Sequence, residues 1–275
     1  PSTLTVLLNQ ALRVACRYTD QHTRRALLER LVADDSTGPS TEGEPAVLPG
    51  GWGRLRAAAP GSDAQIVRVR AWLEAAGQAR LLGEAGSAQV AAHAREILDG
   101  ALPGLELDAD MRWRALTALA RLDAVSANEL EAQRKADPTA SGITHHLQAS
   151  TSMPHQDLKA EVFERLLSDT SVSNDHIDAL VAGFAVDAHR ELTASFTPRY
   201  LREIQGLWAE RGQEIATRLV VGLFPSCGDE ADAQAVEDWL ATHPEAPSAL
   251  RRLILKSLDD LRRALTARRT GSAVL

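Results

Sequence analysis

Apolar residues recur at spacings of three and four along most of the chain, the mark of helices that each bury one face. Leu4–Tyr18 and Thr23–Ala33 read as an opening pair, with Leu27, Leu28, Leu31 and Val32 on the inner side of the second. Near the other end Leu250, Leu253, Ile254, Leu258, Leu261 and Leu265 form one stripe, while Arg251, Arg252, Arg262 and Arg263 fall towards the other side. Helix starts are marked between them. Ser62 with Gln65 and Ser126 with Glu129 resemble capping boxes. Asp137-Pro138 and Thr197-Pro198 place a capping oxygen before a proline at the first helical position. Ser173 is expected to cap the helix that carries Ile177, Leu180, Val181 and Phe184. Gly100, Gly104, Gly206 and Gly212 are expected near helix ends. The pattern predicts roughly thirteen or fourteen helices of about 10–20 residues joined by short links.

One stretch breaks the pattern. Asp34–Pro60 contains Gly38, Pro39, Gly43, Pro45, Pro49, Gly50, Gly51, Gly53 and Pro60. Proline and glycine at that density do not sustain a helix, so a long loop or insertion is expected, with Trp52 and Leu55 pinning its middle to the body. Aromatics make up 4% of the chain while Ala and Leu are abundant, which favours helix over strand. The expected fold is all-α: stacked antiparallel helix pairs in an irregular HEAT- or armadillo-like α-solenoid, one helical domain over residues 1–275. No strict repeat period is present, and the TPR and ankyrin signatures are absent.

Charge narrows the partners. The net charge of −7, with both signs mixed, suits a soluble protein and argues against nucleic acid or an anionic membrane. No run of about 18 apolar residues is present, and the first ten residues have no basic signal-peptide region. Two cysteines, Cys16 and Cys227, make no disulfide framework, so a cytoplasmic location is expected. The chain opens on Pro1 rather than Met, which reads as a piece trimmed from a longer polypeptide.

The chain lacks the usual signatures of catalysis. None of its eight histidines (His22, His93, His145, His146, His155, His176, His189, His243) has another four residues away, so H-E-x-x-H is missing. Adjacent His145 and His146 point about 100° apart on a helix and do not share a metal easily. Cys227 has no neighbouring base to activate it. Gly50, Gly51 and Gly53 form no phosphate-binding fingerprint. The carboxylates of Asp34-Asp35 and Asp259-Asp260 are adjacent rather than facing. Seven Lys or Arg lie between Arg251 and Arg269, but without interleaved aromatics they read as a solvated helix face. No metal or cofactor is expected in this chain.

Four stretches, in order, carry a resemblance: PGSDAQIVRVR at Pro60–Arg70, ILDGALPGLELDADMRWRALTAL at Ile97–Leu119, ELEAQRKADPTASG at Glu129–Gly142, and LWAERGQEIATRLVVGLFP at Leu207–Pro225. Trp239-Leu240 and ALRRL at Ala249–Leu253 follow downstream. Together they resemble the helical C-terminal domain of actinobacterial aminopeptidases N, zinc enzymes of the M1 family. The mammalian endoplasmic-reticulum aminopeptidases are relatives, and the domain is named after them. In that family a thermolysin-like domain upstream carries H-E-x-x-H, a distal Glu, the G-x-M-E-N motif and the zinc. The C-terminal domain packs over it, encloses the chamber and meets peptide substrates. The resemblance therefore implies a non-catalytic part, inactive alone, of a hydrolase that removes N-terminal amino acids from peptides. Its partners would be the catalytic domain of the same polypeptide and the substrate. Within the last motif, Arg211, Glu214 and Arg218 are the candidate contacts to substrate or catalytic domain. The residues read more readily as helix pairs, Arg211 with Glu214 and Glu214 with Arg218. A free-standing HEAT-like scaffold that binds a protein partner is the alternative function.

Overall fold

The structure is a computed structural model that describes residues 2–34 and 50–272. It is all-α, and no strand occurs among the described residues. Contacts gather the chain into two compact units, residues 1–132 and 133–275.

The first unit holds α1 (Ser2–Tyr18), α2 (Gln21–Val32), α3 (Gly51–Arg56), α4 (Asp63–Ala76), a 3-10 turn at Ala79–Leu82, α5 (Glu84–Leu98) and α6 (Ala109–Arg121). α7 (Ala127–Ala136) contains the division between units. α4 is the hub and packs on α1, α2, α3 and α6. Its buried Val69, Trp72 and Leu73 meet a core that includes Trp52, Ile97, Trp113 and Leu119.

The second unit holds α8 (Ala140–Thr151), α9 (Gln156–Ser168), α10 (Asn174–Phe184), the single turn α11 (Arg190–Thr193), α12 (Thr197–Glu210), α13 (Gln213–Gly222), α14 (Glu230–Thr242) and α15 (Ser248–Ser272). α8, α10, α13 and α15 make one row of neighbours, and α9, α12 and α14 pack on α10, α13 and α15 in turn. The adjacent helix pairs expected from the sequence are therefore present. The α15 stripe is buried at Leu250, Ile254, Leu258, Leu261 and Leu265. Where neighbours in the row come close, a small residue sets the distance: a Cβ on Gly183 of α10 would collide with the Thr151 side chain of α8.

The caps are partly those expected. The Ser62 oxygen accepts from Gln65 N at 3.1 Å, Ser126 from Glu129 N at 3.2 Å and Ser173 from His176 N at 3.4 Å. Two starts differ. At α8 the cap is Thr139, which accepts from Gly142 N at 3.0 Å, and Asp137 instead accepts from the Thr139 hydroxyl at 2.7 Å. At α12 the chain enters through a preceding 3-10 turn, so Thr197 is already helical and accepts from Arg190 instead of capping.

The stretch Asp34–Pro60 also departs from expectation in part. Residues 35–49 lie outside the described residues, but Gly51–Arg56 is helical. Burial overrides propensity here, because Trp52 and Leu55 are both fully buried. The glycines serve close approach: a Cβ on Gly51 would run into the Leu31 carbonyl. Trp52 N donates to Ala33 O at 2.9 Å and Gly53 N to Asp34 O at 3.2 Å. The Trp52 ring stacks on His93 at 4.4 Å, and His93 pairs with Asp34 at 3.2 Å and Glu96 at 3.0 Å. Asp34 and Gly50 are thus fastened side by side.

Helix C-termini are closed in two ways. Backbone closure ends α5: Gly100, at φ +76°, lets Ala101 N reach Glu96 O at 2.9 Å. α6 ends the same way, but the left-handed residue is Asp123 at φ 61°. Elsewhere a cation closes the end. Lys159 of α9 is fully buried, and its Nζ donates to Thr151 O at 2.8 Å and Gly183 O at 2.5 Å, the last turns of α8 and α10.

Two stability measurements check this reading. Asp123→Gly is expected to stabilise the chain by about 0.5–1 kcal/mol, since glycine removes the left-handed penalty. Lys159→Met should destabilise it by about 3 kcal/mol, because two buried carbonyls lose a charged donor. Urea unfolding followed by circular dichroism measures both.

Candidate functional site

The three residues singled out by sequence separate in the structure. Arg211 follows α12, and its guanidinium turns to the end of α9. It donates to Leu167 O at 2.7 Å and Asp169 O at 3.0 Å. Glu214 and Arg218 both lie on α13 and pair at 3.1 Å, as i,i+4 spacing predicts. Arg218 also reaches Asp178 of α10 at 3.5 Å. So Glu214 and Arg218 share a surface with α10, while Arg211 points elsewhere and closes a helix end. The side chain of Glu214 is 67% exposed and that of Arg218 30%, which leaves the pair open to a partner.

Each unit contains a cavity. In the second unit all four phenylalanines of the chain (Phe163, Phe184, Phe196 and Phe224) line a cavity of about 40 Å³ together with Tyr200. Phe163 lies 5.5 Å from Phe184 and 4.8 Å from Phe196, ring centre to ring centre. That volume admits about one water. Its polar groups are already engaged: Arg190 pairs with Asp232 and donates to Thr197 at 3.3 Å, and Tyr200 donates to Val220 O at 2.7 Å. Burial pushes the Tyr200 phenol far up, so it stays neutral. This cavity is a packing feature of the core. The second cavity, in the first unit, holds about 160 Å³ and lies among α1, α2, α3 and α4.

Among the described residues no group of three or more His, Cys, Asp or Glu is placed to hold a metal ion. Cys16 and Cys227 are thiols, the first buried. The basic run of α15 is largely spoken for. Arg262 pairs with Glu230 and with Glu237 of α14, Arg269 with Glu230 at 2.9 Å, and Arg251 donates to Leu240 O at 2.8 Å and His243 O at 2.6 Å. No helix among the described residues is long and apolar enough to cross a membrane.

The sequence reading missed the capping cations. Lys159 was visible in principle: it stands where Val162, Phe163 and Leu166 define the buried face of α9, so a charge there had to find an internal partner. Arg211 gave no such sign, since its partners are backbone groups more than forty positions away along the chain.

The fold defines an all-helical class built of adjacent helix pairs. Residues 52–263 match the ERAP1-like C-terminal domain, and the chain belongs to that family, as the sequence motifs implied. The chain is similar to aminopeptidase N of Streptomyces lividans, 32% identical over 222 residues, which cover 80% of this chain and 25% of that protein. It thus spans about a quarter of the length of the relative it matches.

Replacing the arginines tests their separation. Arg211→Ala is expected to cost about 1–2 kcal/mol, because the α9 carbonyls lose a charged donor. Arg218→Ala should fall within about 0.5 kcal/mol, as exposed ion pairs do. Thermal unfolding of the two variants beside the parent chain compares them.

Proposed function

We propose that this chain is the non-catalytic C-terminal part of a zinc aminopeptidase, and that it covers the active-site chamber and controls which peptides enter. The observation that carries the reading is the family match over residues 52–263 combined with coverage of a quarter of an aminopeptidase N. The described residues of this chain do not fit a zinc site. The metal and the hydrolytic step are therefore assigned to a catalytic domain on the same polypeptide, in the cytoplasm.

Two surfaces suit the role. On α1, Val6, Leu7 and Val14 stand 53%, 58% and 48% exposed, an apolar face that suits docking against the catalytic domain. On the row of α8, α13 and α15, Ile143, Val221 and Leu255 are exposed. Val221 follows Glu214 and Arg218 at helical spacing on α13, so apolar and charged groups lie along one side. That side is proposed to face the chamber and touch the distal part of a peptide. Enclosure of this kind excludes water and selects substrates by size.

Immunoblotting of the source cells with an antibody to this chain tests the premise. The expected band is several times heavier than 29.6 kDa. A band at 29.6 kDa would overturn the reading in favour of a separate scaffold. In the intact enzyme, Arg218→Ala is expected to raise KM for long peptides about three- to tenfold and leave a single aminoacyl amide unchanged.

A further inference from the structure

The larger cavity has an unusual combination of walls. Leu4, Leu8 and Leu12 line it from α1 at i, i+4 and i+8, so they occupy one face of that helix. All three are only half-buried, while Ala15 and Cys16, one turn further on, are 1% and 3% exposed. The helix is therefore close-packed at its C-terminal end and stands off at its N-terminal end, leaving the space between. Leu31 of α2 and Ala71 and Trp72 of α4 close the other side. Trp72 is held in place by its indole N–H, which donates to Val32 O at 3.1 Å.

The volume of about 160 Å³ has a known meaning for apolar walls. A leucine-, isoleucine- and phenylalanine-lined space of about 150 Å³ stays dry and takes up benzene. This one has room for a group of that size, a short alkyl chain or one aromatic ring.

The charged side chains that line it are Arg54 and Arg68. They are neighbours, with Arg68 Nη1 donating to Arg54 O at 3.4 Å. Neither has a carboxylate within ion-pair distance among the described residues, although the chain is acidic overall at −7. By contrast Arg70, which lies between Arg68 and Ala71 in sequence but does not line the cavity, is paired with Asp110 at 3.1 Å. Two guanidinium groups beside an apolar hollow present a site with one chemical complement.

We infer that this cavity binds a small amphiphilic monocarboxylate, its alkyl or aryl end among the leucines and Trp72 and its carboxylate on Arg54 and Arg68. The fork of a guanidinium matches a carboxylate better than it matches a neutral hydroxyl. The inference concerns this chain's own pocket and stands apart from the role assigned to the parent enzyme.

Titrating the full 275-residue chain with octanoate, and separately with 1-octanol, tests it. The readouts are calorimetry and the indole N–H signals in a proton–nitrogen correlation spectrum. Octanoate is expected to bind saturably, to shift the Trp72 signal first, and to bind about tenfold tighter than octanol. In Arg54→Gln/Arg68→Gln, with helix content unchanged by circular dichroism, the two ligands are expected to bind alike. No saturable binding by the wild-type chain overturns the proposal. So does equal affinity for octanoate and octanol in the wild type, and so does a response confined to tryptophans other than Trp72.

Discussion

A helix ends in carbonyl groups with no amide beyond them, and a chain of short helices meets that deficit again and again. Here the deficit is met largely by cations sent from another helix. Lys159 serves the ends of α8 and α10, Arg211 the end of α9, and Arg251 the end of α14. Arg24 does the same after α1, donating to Thr19 O at 3.1 Å. Each such contact satisfies an orphan acceptor, meets the negative end of a helix dipole and fixes where one helix must stop relative to the next. Apolar burial drives the helices together without direction. The capping cations supply the register that burial leaves open.

This divides the charged residues into two populations. Arg211 and Lys159 act inward on backbone, so their loss is felt as stability. Glu214, Arg218 and Asp178 pair with one another on an open face, where solvent leaves such pairs nearly neutral in energy. A charge that contributes little to the fold is available for recognition. That contrast is the physical ground on which the proposal puts substrate contact on α13 and not at the α12–α13 turn.

Much of the fold was legible in the chain. Periodicity located the helices because each buries one stripe, and α15 is the plainest case: five of its six stripe residues are buried and Leu253 half-buried. Caps were readable where a Ser precedes the helix and nothing competes, as at Ser62 and Ser173. They failed at Asp137 and Thr197, where two oxygens or a preceding 3-10 turn competed for the same amides, a choice made by tertiary geometry. The short helix at Gly51–Arg56 was hidden because glycine reads as a breaker, whereas here it admits the Leu31 carbonyl. Of the candidate site, the Glu214–Arg218 pair followed from spacing alone. Arg211's target did not, because a backbone carbonyl leaves no mark in the sequence. The cavity under α1 was equally silent: Leu4, Leu8 and Leu12 read as core, and only the packing shows that they fall short of it.

The fastening of Asp34 to Gly50 has a consequence for how this region can change. Two backbone hydrogen bonds, a stacked Trp52–His93 pair and the His93–Asp34 contact hold the take-off and landing points together. These contacts are made by α2, α3 and α5 among themselves, so the two points stay together whatever sequence joins them. The site therefore behaves as a docking port in the engineering sense. Sequence can be lengthened, shortened or exchanged there, over evolutionary time or at the bench, while α2 and α3 keep their seats. A reporter or affinity sequence grafted at this point would ride on a frame that does not depend on what it carries.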